Sequence, residues 1–265
     1  YDVIIIGGGV VGSSIARELS KYKLNTCVLE KELDVCCETS GRNSGVLHAG
    51  FNNKAGSLMA KFCVEGNENF DEIAKELDIP FKRTGKLVVG FNEEDKEKLI
   101  KMKEQGEANG VKGLEIINKD KIRKLSPYVE GNFALYSPQT GILNPFIYTI
   151  AMAENAVSNG VKYVLDNEVL DIKKVLEKES SIFKIKTNKN VYRSKWLINS
   201  AGLNSDKIGK MMGIEDYTIY PCRGEYFILD QKLGKYLNMP AYPVPNEKMG
   251  GLGIHLTPSI DGNVF

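Results

Sequence analysis

Tyr1-Asp2-Val3-Ile4-Ile5-Ile6 is a short apolar run rich in β-branched residues, the pattern of one buried strand. Gly7-Gly8-Gly9-Val10-Val11-Gly12 follows at once, and from Val10 to Lys21 apolar positions recur at helical spacing, with Val11, Ile15 and Leu19 on one stripe. Thr26-Cys27-Val28-Leu29 predicts a second strand that ends at Glu30. Residues 33–55 form a long connection rich in Gly, Ser, Asn and Cys. A helix is expected over Gly56–Leu77, with Leu58, Phe62, Phe70, Ile73 and Leu77 near one face. Gly85–Gly90 reads as a strand; Asn92 and Asn118 read as caps of two further helices, the second stopped before Pro127. Two short strands are expected around Pro138-Gln139-Thr140-Gly141, and Asn144-Pro145 opens a helix to about Asn159.

Beyond that helix the chain turns to period-two patterns. Val161–Leu165 and Glu168–Ile172 predict strands, and 182–187 and 191–194 alternate around Asn188-Lys189-Asn190 like a hairpin. Trp196–Gly202 reads as a strand running into a glycine turn, followed by a helix from about Ser205 to Met212. Strands and prolines are expected from Thr218 onward. The order implies an α/β fold: a Rossmann-like nucleotide-binding domain interleaved with an antiparallel β-sheet domain. The expected division is 1–83 with 144–213 for the nucleotide domain, and 84–143 with 214–265 for the substrate domain.

The first 30 residues carry a chemical meaning. Strand, G-x-G-x-x-G, helix, strand and acid form the fingerprint of a dinucleotide site. Gly7 permits the tight turn, Gly9 lets backbone approach a pyrophosphate, and Gly12 lets helix pack on strand. The helix N-terminus offers free N–H groups to phosphates, and Glu30 can accept hydrogen bonds from a ribose diol. The fingerprint alone does not separate NAD from FAD. Thr39 to Gly50, with its hydroxyls and small residues, suits a second wrap around a pyrophosphate and a flavin edge.

Composition narrows the field. The chain has 265 residues and a formal net charge of +1, which gives no electrostatic case for nucleic acid. No apolar run is long enough to span a membrane, and no signal peptide is expected. The five cysteines, Cys27, Cys36, Cys37, Cys63 and Cys222, are odd in number and lack C-x-x-C spacing, so reduced thiols in a cytoplasmic protein are expected. No metal site is expected.

Gly7–Gly12, Leu29-Glu30-Lys31, Ser40–Gly50, Gly56–Cys63, Ser200-Ala201-Gly202, Pro221–Phe227 and Gly253–Gly262 together resemble the FAD-dependent oxidoreductases of the D-amino-acid oxidase superfamily. Within it the sequence is similar to L-2-hydroxyglutarate oxidases and anaerobic-type glycerol-3-phosphate dehydrogenases. The resemblance implies FAD, with its adenine ribose on Glu30 beside Lys31. It puts the pyrophosphate at Gly7, Gly9, Val10, Val11, Gly12 and Ser40, continuing through Gly41, Asn43, Ser44 and Gly45. It lays Val169 against the adenine and closes Ala201 and Gly202 over the flavin side of the nucleotide. It also implies a further glycine-containing flavin motif after Phe265, so the sequence reads as C-terminally truncated and its flavin site as incomplete.

Oxidising a secondary alcohol needs a hydride acceptor, a base for the hydroxyl proton and cations for the substrate anion. Only His48 and His255 are histidines, and both fall in segments that the resemblance sets near the flavin. His255 is the first choice of base; His48 is the other, and could alternatively carry covalent flavin. Arg223 is the candidate anion clamp, and Tyr226 a candidate hydrogen-bond donor to substrate. For each of these the alternative is a packed or surface residue without chemistry. The favoured activity is oxidation of a small anionic 2-hydroxy acid such as L-2-hydroxyglutarate, the alternative is glycerol 3-phosphate, and the contrasting class is a non-catalytic nucleotide-binding module. The electron acceptor, whether oxygen, quinone or a partner protein, stays open, as does peripheral membrane association of the full-length protein.

Overall fold

The computed structural model describes residues 1–177, 180–245 and 254–265. In chain order the first elements are β1 (Val3–Ile6), α1 (Val10–Leu19), β2 (Thr26–Leu29), β3 (Val46–Leu47), α2 (Leu58–Glu68) and α3 (Phe70–Glu76). Next come β4 (Phe81–Lys82), β5 (Lys86–Gly90), α4 (Glu93–Ala108), β6 (Glu115–Asn118), α5 (Lys119–Leu125), β7 (Phe133–Ser137), β8 (Gly141–Leu143) and α6 (Pro145–Ser158). The chain continues with β9 (Lys162–Val164), β10 (Val169–Glu177), β11 (Ser180–Thr187), β12 (Val191–Ser194), β13 (Trp196–Asn199), α7 (Ser205–Lys210) and β14 (Ala241–Pro243).

The helix starts follow their caps. Asn92 accepts the Asp95 N–H at 2.8 Å, Asn118 accepts that of Lys121 at 3.1 Å, and Ser57 accepts that of Ala60 at 3.1 Å. Each side chain satisfies one of the N–H groups that a helix leaves without a partner, a contribution of about 1 kcal/mol.

Two compact units result: residues 1–43 with 145–224, and residues 44–144 with 225–265. The sequence expectation had drawn the borders at 83 and 213. Residues 44–83 group with the second unit because β3 and β4 both pair with β8.

The first unit is built on a parallel sheet in the order β13-β1-β2-β9. Its register sets Ile4 beside both Cys27 and Leu197. Alternation along β1 then sorts side chains onto two cores. Val3 and Ile5 pack with Ala16 of α1, Ala156 of α6 and Val28. Ile4 and Ile6 pack with Cys27, Leu29, Val169, Ile172, Ile185 and Ile208, under the antiparallel sheet β10-β11-β12. A strand buried on both faces has no polar-out position, which is why residues 3–6 are apolar without a break.

The second unit holds a sheet in the order β14-β5-β7-β6 and a smaller one, β3-β8-β4. Val88 and Leu135 face one core with Phe51, Leu99 and Leu114; Leu87, Val89 and Ala134 face another with Ile117, Ile122 and Met239. The larger sheet is antiparallel except at β14, which runs parallel to β5.

Several expectations change. The helix expected over 56–77 breaks at Asn69, the C-cap of α2 and N-cap of α3. Its apolar stripe splits: Phe70 is buried, whereas Leu58 and Phe62 are 70% and 59% exposed. The two short strands expected around residues 138–141 are present as β7 and β8, and they join different sheets, β7 with β5 and β6 and β8 with β3 and β4. From Thr218 to Ile228 no strand forms, so Arg223 and Tyr226 do not start one. β3, β4 and β6 were not foreseen, being too short or too close to a cap to show alternation.

One pair of glycines separates conformational from packing effects. A Cβ at Gly12 would lie 1.9 Å from the Gly7 carbonyl oxygen, whereas one at Gly66, inside α2, would meet nothing within 4 Å. Gly12→Ala is expected to destabilise by about 2–4 kcal/mol through overpacking, and Gly66→Ala to stabilise by about 0.5–1 kcal/mol through helix propensity. Urea denaturation of both variants measures this, and equal effects would contradict the packing assigned to Gly12.

Candidate functional site

In the first unit the turn after β1 is held by backbone. Gly7 takes φ +105° and donates its N–H to Leu29 O at 2.9 Å. A Cβ there would sit 2.5 Å from Ser200 O, so only glycine fits between β1 and the end of β13. Ser200 Oγ donates to Ile6 O at 2.8 Å and ties the two strand ends together.

Glu30 is buried, and both of its oxygens are engaged. Gly8 N–H donates to Oε2 at 2.5 Å and Glu32 N–H to Oε1 at 2.9 Å. Charge-assisted bonds to backbone hold the carboxylate in one orientation and leave lone pairs free for hydroxyls. Ser40 Oγ accepts the Val10 N–H at 2.9 Å, closing the first turn of α1 from the side. A Cβ at Gly9 would come within 2.9 Å of that oxygen. Among the described residues no acceptor takes the N–H of Val11 or Gly12.

These groups surround a cavity of about 390 Å³. Gly7, Gly9, Val11, Glu30, Lys31, Ser40, Val169, Ala201 and Gly202 line it, so most of the expected cofactor residues come together. Lys31 reaches the cavity with its ammonium bound to Glu38 at 2.6 Å and Glu32 at 2.9 Å; these hydrogen bonds raise its pKa. Val10 contributes through its N–H to Ser40. Gly12 stands behind the cradle and permits the helix–strand contact.

Besides Val10 and Gly12, four more expected residues do not line the cavity. Gly41 is buried, where a Cβ would meet Cys36 O and the Phe146 ring, each at 2.6 Å. Asn43 donates to Thr39 O at 3.2 Å and Ser40 O at 2.8 Å and so shapes the loop that carries Ser40. Ser44 and Gly45 belong to the second unit, where Gly45 O accepts the Leu143 N–H at 2.8 Å. The wall also uses residues not foreseen. Asn167 is buried there, accepting from Thr187 Oγ1 at 3.1 Å and Tyr192 OH at 3.0 Å. Its position just before a predicted strand was the available signal.

The second unit gathers a different group of side chains. Lys86, on β5, is only 1% exposed. Its Nζ lies 3.4 Å from the Tyr242 ring centroid and 5.5 Å from that of Phe51. The Tyr242 ring in turn stacks on His255, with centroids 4.0 Å apart and planes at 23°. His48 keeps surface open to solvent, but it stands in a recess dense in protein atoms. Desolvation there, then the charges of Lys86 and His255, pull its pKa down to about 4. Burial lowers the Lys86 pKa to about 7.

The His48 backbone is fixed from α2. Asn67 Nδ2 donates to His48 O at 2.9 Å and to Gln139 O at 3.0 Å, and Arg83 Nη1 donates to Asn67 Oδ1 at 2.9 Å. Tyr226 is half-exposed and meets the Phe265 ring edge-on at 6.1 Å. Arg223 is exposed and lies in the first unit, in a stretch without regular structure. Neither Lys86 nor Asn67 was foreseen. Lys86 stands in the expected strand Gly85–Gly90 and Asn67 in the helix expected over Gly56–Leu77, and no local motif marks either.

Known proteins bear on these arrangements. The family described as DAO, FAD dependent oxidoreductase, matches residues 2–265. A glycerol 3-phosphate dehydrogenase of Caloramator mitchellensis is 44% identical over 267 residues, covering all of this chain and 54% of that protein. A mitochondrial L-2-hydroxyglutarate dehydrogenase of Nematostella vectensis is 37% identical over 278 residues, covering all of this chain and 61% of that protein. The chain thus spans little more than half the length of these relatives. Among solved structures, a dithionite-reduced L-α-glycerophosphate oxidase from Mycoplasma pneumoniae with FAD bound superposes with TM-score 0.83 at 28% identity. The match covers 99% of this chain and 69% of that one. A glycine oxidase from Geobacillus kaustophilus, at TM-score 0.86 and 21% identity, covers all of this chain and 70% of its own and shares the fold.

The cradle fits the nucleotide half of FAD. Side chains at Gly7 and Gly9 would close on Ser200 and Ser40, the helix end offers N–H groups, and Glu30 is set to accept hydroxyls. Glu30→Ala in the full-length protein should weaken flavin retention by about 1–3 kcal/mol, because ribose hydroxyls lose their acceptor. Flavin content after gel filtration measures it, and parental content in the variant would contradict the assignment.

Lys86 generates a second prediction. Its native pKa of about 7 lies below the ordinary lysine value of 10.5. Below pH 7 the buried amine is charged in both states and the native state bears the full desolvation cost. Between 7 and 10.5 only the unfolded chain keeps the proton, so stability rises with pH. Lys86→Met should therefore stabilise by about 1–4 kcal/mol near neutral pH, and the gain should vanish toward pH 10. Chemical denaturation across that range checks it; a constant or inverted difference would rule out an uncompensated ammonium.

Proposed function

The chain belongs to the DAO family of FAD dependent oxidoreductases, and from that premise we propose that the whole protein oxidises a small hydroxyl-bearing anion with FAD. The observation that carries the proposal is the cradle of the first unit, where Gly7, Gly9, Glu30 and Ser40 meet around one cavity. Glu30 would hold the adenosine ribose, and the α1 N-terminus with Ser40 the pyrophosphate. When bound, FAD supplies the acceptor for the hydride that leaves the substrate carbon.

The chain's own residues supply the remaining chemistry. An imidazole takes the hydroxyl proton as the carbon gives up its hydride. His255 is the first expectation for this role. His48 gains support from its open face, and its lowered pKa keeps it neutral at physiological pH while making it the weaker base. Arg223 would grip the substrate anion through its planar fork, and Tyr226 would donate to it.

L-2-hydroxyglutarate is the favoured substrate, supported by the dehydrogenases of that name among the relatives. Glycerol 3-phosphate is the second reading, favoured by the 44% identical relative that carries that name. Both are anionic secondary alcohols, so one scaffold suits either. Reduced thiols point to a cytoplasmic setting, and the electron acceptor is oxygen, a quinone or a partner protein.

Anaerobic stopped-flow bleaching of the full-length flavoprotein tests this reading. One of the two substrates should reduce the flavin and the other should be slower. Replacing the base, His255→Gln or His48→Gln, should slow reduction by about 10²–10⁴-fold at parental flavin content, and Arg223→Lys should mainly weaken substrate binding. Bleaching by neither substrate would refute the proposal, and parental rates in both histidine variants would place the base elsewhere.

A further inference from the structure

Among the described residues Lys86 is a cation without a counter-charge. Among the described residues its Nζ reaches no carboxylate and donates to no acceptor; its neighbours are the faces of Tyr242 and Phe51. Aromatic faces attract an ammonium but leave its charge uncancelled. Buried charges are otherwise paired.

The surrounding elements do not remedy this. Tyr242 of β14 is neutral, as is Tyr226, which acts on Tyr242. His48 and His255 add positive charge or none. From α4, Asp95 is bound to the Phe91 N–H beyond the far end of β5, and Lys96 lies over the Phe133 ring. β7 presents Ser137 opposite Lys86. Among the described residues no carboxylate thus stands beside Lys86, while the charge of Lys86 acts on His48, which keeps surface open to solvent.

We propose that Lys86 is an oxyanion anchor: its ε-ammonium, with the imidazole of His48, receives the anionic end of the substrate, a carboxylate or a phosphate. The proposal rests on the reading of the substrate as an anion and adds the residue that holds it. The arriving oxyanion supplies the missing charge and accepts hydrogen bonds from an amine that otherwise donates to none. On the sheet face shared with Val88 and Tyr242 the anchor is rigid, because β5 is paired on both edges.

Proton linkage follows. With no anion the amine loses its proton near pH 7, and an adjacent anion favours the charged form. Binding must then take up a proton, and affinity must fall about tenfold per pH unit above about 7.

Calorimetric titration of the FAD-loaded full-length protein with inorganic phosphate and with glutarate tests the anchor. The two probes distinguish a phosphate end from a carboxylate end. One of them should bind at about pH 6 with proton uptake, visible as a dependence on buffer ionisation heat, and bind at least about tenfold more weakly at about pH 9. Lys86→Met should lose about tenfold or more in affinity at the lower pH together with the pH dependence, while Lys86→Arg should keep affinity to the higher pH. Parental affinity and pH dependence in Lys86→Met, or binding without proton uptake, would overturn the anchor. If Lys86→Met fails to fold, Lys86→Arg and the proton count decide. Lys86-dependent probe binding with no flavin reduction by either substrate would sink the substrate reading alone. Substrate turnover with an unchanged KM in Lys86→Met would sink the anchor alone.

Discussion

The first unit depends on the crossing of three backbone segments at Gly7, Gly12 and Ser200. Gly12 approaches Gly7 so closely that a Cβ would stand 1.9 Å from its carbonyl oxygen, and one at Gly7 would stand 2.5 Å from that of Ser200. That approach lets α1 start directly over the end of β1 with its free N–H groups aimed into the cavity. It also brings the end of β13 beside β1, so Ala201 and Gly202 reach the same cavity from a site nearly 200 residues away in sequence. Any side chain at these positions would push helix from sheet, and the cavity would lose its floor and its donors together.

The two units solve opposite electrostatic problems. In the first, a buried carboxylate is satisfied twice over by backbone N–H groups, so Glu30 is rigid and has lone pairs to spare. Its partners are Gly8, in the turn after the neighbouring strand β1, and Glu32 just beyond β2, so the pairing of β1 with β2 sets its orientation. In the second, a buried ammonium lies against aromatic faces, with no carboxylate in reach among the described residues. Stability alone favours an apolar residue at Lys86, since burying an unpaired charge costs several kcal/mol. Such a position is understandable where function needs the charge. The carboxylate has its partners within the fold, whereas the ammonium has room for one more.

What the sequence revealed follows the range of the interactions involved. The β1–α1–β2 fingerprint and the caps Asn92 and Asn118 lie where periodicity and cap chemistry put them, whereas the cap Ser57 was not read from the sequence. β8 and β14 find their partners across long stretches of chain, and no local pattern announces that β14 joins β5 in parallel. The apolar stripe of Leu58 and Phe62 promised a core face, yet the break at Asn69 turns α3 independently of α2 and leaves both side chains outside. The segment around Gly253 falls partly outside the described residues, whereas His255 is seen on the Tyr242 ring.

Lys86 shows most clearly why the rest was hidden. In Gly85-Lys86-Leu87-Val88-Val89 a lysine at the start of a strand reads as a polar edge residue. Alternation does place it with Val88, but the sequence does not say that this face is covered. Coverage comes from Phe51 in a loop and Tyr242 on a strand more than 150 residues later. Each covering residue is an unremarkable aromatic in its own segment. Only their convergence turns an ordinary lysine into a buried amine of lowered pKa, and that convergence belongs to tertiary structure. Functional groups made by local sequence, such as Glu30 and Ser40, can be found from a motif; groups made by burial can be found only once the fold has said what covers them.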